Sequence, residues 1–324
     1  MRSKLILLAG VITLALAPLA TAQTTNIKAL SSGLQSFVDN TTLALPLAAS
    51  AGTDWSNAYI GQLIDTDFPW VHLGVGLTAG VTSLPNKAVN PLLEAMGQSD
   101  VSSVGIPFTD FNLRLGGIVW PFDMGLKIGF LPSAFANASG FAFTYNSFGV
   151  DVRYSLVKSD LLLPDVSVGG GINYISAAVT GSYGKGITYT DPVNSANTLS
   201  IGAPTMNLKL SAVEFEGKVQ VSKTLLFLLT PYAGLTASYG SAHAEAGVNS
   251  TITSNQPISY WVSQYGVPGL TTSGFGTSGD AGVFGMKIYG GSSIDILIVK
   301  FDFQGMYSLF DGNYGLSAGV RVQL

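Results

Sequence analysis

Apolar residues recur at every second position over most of the chain from about residue 70 onward. In the first such run, a His, Gly or Thr residue lies between each apolar residue and the next. The apolar residues are Val71, Leu73, Val75, Leu77, Ala79 and Val81. A period of two is typical of a strand with one apolar face. Ten such runs are present, each long enough to cross a bilayer as a tilted strand of about 9–11 residues. The pattern therefore predicts ten β-strands, with eight and twelve as alternatives.

The segments that connect these runs alternate in length. Those after the first, third, fifth and seventh runs are long, at about 84–108, 134–145, 181–205 and 241–282, and those after the even-numbered runs are short. Long loops on one side and short turns on the other are typical of bacterial outer-membrane barrels. The last hairpin departs from this alternation, because Asp311 and Gly312 predict a tight turn there.

Composition decides which face of the strands meets lipid. Charged residues make up 10% of the chain, against roughly 25% in soluble domains, and mean hydropathy is +0.39. The charges fall on one face of each predicted strand. Lipid does not tolerate an open sheet edge, because every backbone polar group needs a partner. We predict an all-β fold for residues 69–324: a transmembrane, antiparallel, up-and-down β-barrel with lipid outside. A soluble barrel with an apolar interior is the alternative.

The N-terminal part of the chain lacks this period. Residues 1–22 have the features of a secretory signal peptide: Arg2 and Lys4, an apolar stretch, and Ala20-Thr21-Ala22 at the end. In residues 23–68, apolar residues follow helical spacing, at Ile27, Leu30, Leu34, Phe37 and Val38. We predict a short helical segment there that lies in the periplasm or plugs the barrel.

The polar faces of the strands predict which side chains line the lumen. They carry both signs of charge in nearly equal number: Arg114, Lys127, Asp151, Arg153, Glu214, Glu216, Lys218, Lys287, Lys300, Asp302 and Arg321. Two interpretations stay open. The charges form a network that fills a narrow barrel, or they form a constriction that selects solutes. Gly residues on the same faces leave room for either.

The chain offers little chemistry for catalysis or for cofactors. It has no cysteine and two histidines, with no cluster of metal ligands and no phosphate-binding loop. His243, near Glu245, is interpreted as a solvated loop side chain. Basic clusters of the kind that bind nucleic acid are missing. We therefore expect no enzymatic activity, no cofactor and no nucleic-acid partner.

The longest predicted loop, at about 241–282, is rich in Ser, Thr and Gly. Three aromatic residues that interrupt it are candidates for contact with a ligand or a host surface: Tyr260, Trp261 and Tyr265. The alternative is that these rings pack over the mouth of the barrel.

The ten runs as a whole resemble bacterial outer-membrane β-barrel proteins. The last ten residues, Gly315–Leu324, look like the terminal strand that barrel-assembly machinery recognises, with Leu in place of the usual Phe. The Ala- and Gly-rich strands are similar to those of treponeme-type outer-membrane proteins. Ten is also the strand number of the omptin proteases, which use acidic residues and a His near the cell exterior.

A second resemblance is to FadL-type transporters of hydrophobic compounds. The helical N-terminal segment and the loop residues Leu92, Leu93 and Met96 are similar to the plug and the apolar loop groove of that family. FadL-type barrels have fourteen strands, whereas this chain has ten predicted runs.

Together these features predict a barrel in the outer membrane of a diderm bacterium. The expected function is that of a narrow pore or transporter for small solutes. A closed barrel that displays surface loops for adhesion or ligand binding is the alternative. The expected partners are outer-membrane lipid, barrel-assembly machinery, and a small solute or a host ligand.

Overall fold

A computed structural model describes residues 27–61, 72–95, 99–101, 104–117, 120–131, 137–138, 141–158, 163–182, 186–267 and 269–324. The predicted signal peptide at residues 1–22 and the end of the predicted N-terminal segment lie outside the described residues.

Ten long strands of the described chain form one closed ring. They are β1 (Leu73–Leu84), β2 (Val104–Gly116), β3 (Phe122–Phe130), β4 (Phe141–Val157), β5 (Asp165–Ser182), β6 (Thr205–Ser222), β7 (Leu229–Asn249), β8 (Gly274–Ile296), β9 (Val299–Ser308) and β10 (Tyr314–Gln323). Each strand pairs antiparallel with its neighbours in sequence, and β10 pairs with β1, with Val322 opposite Val75. The prediction of a closed, antiparallel, ten-stranded barrel is confirmed.

The outer surface of the barrel is a band of exposed apolar side chains. On β4 the outward residues are Phe148, Val150, Val152, Tyr154 and Leu156, and all are at least 40% exposed. The inward residues between them include Asp151 and Arg153, which are buried. A soluble protein does not present so large an apolar surface to water, whereas apolar-outside and polar-inside strands are the arrangement of an outer-membrane barrel. The barrel is therefore an outer-membrane β-barrel, and the soluble alternative is excluded.

The connections give the barrel two different ends. Short turns join β2 to β3, β6 to β7 and β8 to β9, and both the start of β1 and the end of β10 lie on that side. The four connections after β1, β3, β5 and β7 are longer and lie on the opposite side, together with the tight turn between β9 and β10 that the sequence predicts. By the usual rule for such barrels, this side is extracellular.

The longest connection is shorter than predicted. Much of the predicted loop at 241–282 is strand, because β7 continues to Asn249 and β8 begins at Gly274. Both strands extend beyond the apolar band, and the connection between them covers only residues 250–273.

Two helices lie against the inside of the barrel. Helix α1 (Ile27–Ala49) contacts the inner walls of β1 and β5 to β8, and helix α2 (Asn86–Ala95), in the first extracellular connection, packs against α1. Leu34, Leu45 and Leu92 are among the apolar side chains of these helices that are buried against the wall. No helix among the described residues is both long and apolar enough to cross a membrane.

The presence of α1 explains one wrong prediction about the strands. In the sequence, the apolar residues of this strand change phase near Ile175, a pattern that predicts a β-bulge there. The structure contradicts this prediction, because β5 pairs with β6 without interruption. The irregularity of register lies on β4 instead, between Ser155 and Val157. Ile175 points inward with the correct parity and is buried in the core that α1 completes. An apolar residue faces the lumen there because a helix, and not water, fills the lumen.

A small folded unit lies above the extracellular end. Three short strands, Ile187–Thr190, Thr198–Ile201 and Ile252–Ser254, form an antiparallel sheet. Helix α3 (Ile258–Tyr265) follows the third of these strands. We call the sheet, the residues that connect its strands at 191–197, and α3 together the extracellular cap.

Candidate functional site: a plugged lumen

Strand alternation turns the predicted lumen residues inward. All eleven of the charged side chains predicted to line the lumen are on inward faces, and each is buried or nearly so. They form a charged layer in the half of the barrel near the short turns, whereas the extracellular half is lined mainly by apolar residues.

The charged layer is built of ion pairs that join inward side chains within one strand, across adjacent strands and across strands two apart. Arg114 of β2 contacts Asp123 at 2.5 Å and Asp151 at 2.8 Å. Arg153 of β4 also contacts Asp123, at 2.9 Å. Lys218 of β6 lies 3.3 Å from Asp151. Mutual pairing lets these groups stay charged without contact with water.

Pairs on the remaining strands complete the layer. Lys300 lies 2.9 Å from Asp295, Arg321 lies 3.0 Å from Asp302, and Lys218 lies 3.3 Å from Glu216. The ring of charges thus runs around most of the barrel wall, and both signs occur throughout.

The last residue of α1 and the irregular stretch of chain after it cross this layer. We call residues 49–58 the plug segment. Lys127 donates hydrogen bonds to the carbonyl oxygens of Ala49 (2.6 Å) and Ala51 (2.9 Å). Further along, the carboxylate of Asp54 lies 3.1 Å from the amine of Lys218 and 3.4 Å from that of Lys287.

Trp55 occupies the middle of the plug segment between two cations. Its ring lies 4.6 Å from the guanidinium of Arg321 and 5.5 Å from that of Arg114, distances suited to cation–π attraction. Gln220 donates to the Trp55 carbonyl at 2.6 Å, and Arg153 donates to the Asn57 carbonyl at 2.7 Å.

The plug segment therefore closes the lumen in this structure. Trp55, Ser56 and Ala58 are buried, as are the wall residues that contact them. The attachment is largely polar, through hydrogen bonds and ion pairs that water can replace. The sequence left open whether the charges fill the lumen or form a constriction. In this state, a separate stretch of chain lies between the charges and fills the lumen.

Above the charged layer lies a small apolar cavity. It has a volume of about 70 Å³, and its lining is entirely apolar, with contributions from both helices and from β1, β2 and β4 to β6. Phe37 of α1 and Leu92 and Leu93 of α2 line it, together with Phe143, Leu208 and other wall residues. Leu92 and Leu93 are two of the three loop residues that suggested an apolar groove; the third, Met96, lies outside the described residues.

The extracellular cap is held together by one carboxylate. Asp191 accepts hydrogen bonds from the hydroxyls of Tyr260 and Tyr265, which lie on α3. The ring of Trp261 stacks on that of Tyr265, with 5.6 Å between centroids. Trp261 is buried, so the prediction that its ring offers an exposed contact surface is wrong; Tyr260 and Tyr265 are half-buried. The rings face each other because stacking and edge contacts join α3 to the sheet of the cap.

His243 lies in a different place from the one predicted. It is on the outward face of β7, above the apolar band, and not in a loop. Its two ring nitrogens face Asp280 at 2.7 Å and Glu245 at 3.2 Å. The two carboxylates thus hold the ring between β7 and β8. Among the described residues, no group of three or more potential ligands could hold a metal ion.

Sequence reasoning did not identify the residues of the plug segment. Asp54 and Trp55 sit in an irregular stretch, where neither a period of two nor one of 3.6 marks a direction for the side chains. The available signal was an Asp beside a Trp within an otherwise uncharged stretch from Thr41 to Ile64.

The known proteins similar to this chain are outer-membrane barrels. No protein-family model matches the chain, and no curated protein matches its sequence. Among solved structures, the outer membrane protease OmpT from Escherichia coli aligns over 78% of this chain and 97% of its own, with 9% identity and a TM-score of 0.39. The translocator domain of the autotransporter NalP from Neisseria meningitidis aligns over 86% and 92%, with 8% identity and a TM-score of 0.33. The CymD monoaromatic hydrocarbon channel aligns over 78% and 88%, with 9% identity and a TM-score of 0.28.

Proposed function

We propose that the protein is a gated channel for small solutes across the outer membrane, with the plug segment as its gate. The observation that carries this proposal is the crossing of the charged layer by residues 49–58, which are attached to the wall mainly by polar contacts. A lumen filled only for stability needs no more than the side chains of the wall, packed or paired with one another. Here the filling is a separate stretch of chain, and its contacts can be exchanged for water.

The charged layer suits conduction once the plug segment has moved. Arg114, Lys127, Lys218 and Lys287 would then line a water-filled passage together with the carboxylates that now pair with them. Wall charges of both signs favour small polar or zwitterionic solutes over ions of one sign. The extracellular half of the barrel is apolar and is filled by α1 and α2, so an open path requires α1 to move together with the plug segment. A solute with a short apolar part fits such a path.

The proposal predicts that weakening the plug segment opens the barrel. Trp55→Ala removes the ring between two guanidinium groups and leaves a space that water can enter. In planar bilayers we expect the unmodified protein to conduct rarely, and the Trp55→Ala variant to show steps of current many times more often. Trp120→Ala is the matched control, because that Trp is 67% exposed at the short-turn end.

A reversible lock tests the same point within one protein. The chain has no cysteine, and the backbone amide of Ala58 donates to the hydroxyl of Ser222 at 2.8 Å. In an Ala58→Cys/Ser222→Cys variant, we expect the oxidised form to be silent and a reducing agent to restore the rare openings of the unmodified protein. Silence from Trp55→Ala with an intact barrel would contradict the channel. It would favour the alternative of a closed barrel that displays the extracellular cap to a ligand.

A further inference from the structure

The short turns carry large apolar residues where small or polar ones are expected. The turn between β6 and β7 has the sequence Leu225-Leu226-Phe227-Leu228-Leu229, and Leu226 and Phe227 are 92% and 94% exposed. The next turn around the rim, between β8 and β9, presents Leu297 at 94% exposure. We call these two turns, residues 225–229 and 296–298, the apolar rim.

The backbone of the apolar rim makes this choice of residue unusual. Leu226, Phe227 and Leu297 have positive φ angles of 52°, 58° and 56°. Left-handed backbone favours Gly and Asn in tight hairpin turns and is strained for larger side chains. A water-exposed turn gains nothing from Leu or Phe at such positions, so these side chains indicate that the turns are not in water.

The apolar rim continues the lipid-facing band of the barrel. The two hairpins are adjacent, and the amide of Asp295 donates to the Leu228 carbonyl at 2.7 Å. Just above the turns, the outward faces of β6, β7 and β8 carry Val221, Leu229 and Ile294, which are 39–41% exposed. The apolar surface thus runs from the membrane-facing wall onto the turns.

The height of the wall places the rim at the inner edge of the bilayer. From Tyr239, at the top of the band on β7, to Leu229 is ten residue steps. At roughly 3.4 Å per residue and a tilt of about 40°, these steps span about 26 Å. That equals the apolar band of such barrels, about 25 Å. When Tyr239 sits at the outer interface, the turns therefore reach the inner one.

We infer that the apolar rim inserts its side chains into the periplasmic leaflet and anchors this side of the barrel in lipid. Side chains at 225–229 offer no hydrogen-bonding group, and protein-binding hot spots are enriched in Trp, Tyr and Arg with Leu under-represented. A lipid surface needs no directional contact, so lipid fits this patch better than a protein partner. The inference is independent of the gate, because it concerns the outside of the barrel.

A single introduced cysteine tests where the rim lies. Phe227→Cys, in a chain without other cysteines, would carry a fluorescent label in phosphatidylcholine vesicles with no other protein. Lipids brominated on their acyl chains quench the label from within the bilayer, and iodide on both sides of the membrane quenches it from water. Leu235→Cys on the lipid-facing wall is the membrane reference, and Val193→Cys, at a position 78% exposed in the extracellular cap, is the water reference.

We expect the label at 227 to follow the Leu235 reference, with strong quenching by brominated lipid and several-fold weaker quenching by iodide than at 193. A label at 227 that iodide quenches as it does at 193 would overturn the inference and point to a protein partner or a second copy on the rim.

A second measurement does not need the label. Leu226→Asn/Phe227→Gly relieves the strained turn, so we expect unchanged or higher stability in detergent but several-fold slower insertion into vesicles. Equal insertion rates would also count against the lipid anchor.

Discussion

Asp123 is the residue on which the charged layer depends most. It is fully buried, and its carboxylate accepts hydrogen bonds from Arg114 at 2.5 Å and from Arg153 at 2.9 Å. It also accepts from the backbone amide of Ile60 at 3.1 Å. One carboxylate thus bridges two guanidinium groups, of which that of Arg114 also pairs with Asp151, and holds the chain just beyond the plug segment.

Removal of this carboxylate is expected to destabilise the barrel strongly. Asp123→Ala leaves two buried guanidinium groups with reduced compensation, which costs about 3–5 kcal/mol for the loss of one partner of a buried pair. Urea unfolding in detergent or vesicles measures the change. Asp280→Ala is the control: its side chain is 79% exposed and pairs with His243, so a loss below about 1 kcal/mol is expected. Equal losses for the two variants would contradict a structural role for the charged layer.

The sequence was sufficient to predict that the wall charges point inward. It was not sufficient to predict that the plug segment contacts them. Arg114 and Lys218 have neighbours that alternate, so parity alone fixes their face. Trp55 has no such pattern around it, and its position depends on contacts with strands far away along the chain. An irregular segment that packs against distant strands has no hydrophobic period, so the direction of its side chains cannot be predicted from the sequence.

Among the elements, β7 shows why part of the barrel was predicted as loop. Its extracellular half carries Ala242, Ala244, Ala246 and Val248 on the inward face, and all four are buried. On β8, a Cβ added to Gly279 would lie 2.9 Å from a methyl group of Val38 on α1. Small side chains are required there so that the helix can approach the wall. A stretch of such small residues has the composition of a loop. It was predicted as a loop because the sequence does not show the helix that these residues contact.

The extracellular cap is the element with the clearest dependence on pH. Hydrogen bonds from the hydroxyls of Tyr260, which has the larger effect, and of Tyr265 hold the pKa of Asp191 below its usual range. A lowered pKa means that the ionised form stabilises the cap. This stabilisation is complete above the unfolded pKa of about 3.9 and is lost as the pH falls through the lower, folded value.

We therefore expect the cap to loosen only in strong acid. The near-ultraviolet circular dichroism of the stacked Trp261 and Tyr265 rings should stay constant from pH 7 to about pH 4 and decrease below that. Asp191→Asn should weaken the signal at pH 7 and abolish the acid transition, whereas Asp280→Asn should leave it in place. An acid transition that survives in Asp191→Asn would assign the effect to another group.

At the scale of the whole molecule, the protein consists of a barrel and a separate filling. The barrel follows from the sequence, because alternation, loop lengths and sparse charge all require a closed sheet with lipid outside. Only the helical tendency of the filling could be predicted, since Ile27, Leu34 and Phe37 mark a helix but not what it packs against. The choice between periplasm and lumen for that segment depends on the complementary shape of a wall that forms only when the ring closes.

This division predicts two levels of stability within one chain. Each of the strands β1 to β10 is hydrogen-bonded to a neighbouring strand on both sides. The amides of these strands therefore exchange with solvent only when the barrel itself opens. The amides of Ala58 and Ile60 are bonded instead to side chains of the wall, at 2.8 and 3.1 Å. If the plug segment and the two residues beyond it move as a unit, these amides should exchange by local opening at least about tenfold faster than those of the strands, a difference of about 1.4 kcal/mol or more. Trp55→Ala should increase their exchange and leave that of the strands unchanged, as measured by hydrogen exchange in lipid. Should both sets exchange at one rate, the plug segment would be an inseparable part of the barrel core, and a gate at this position would be excluded.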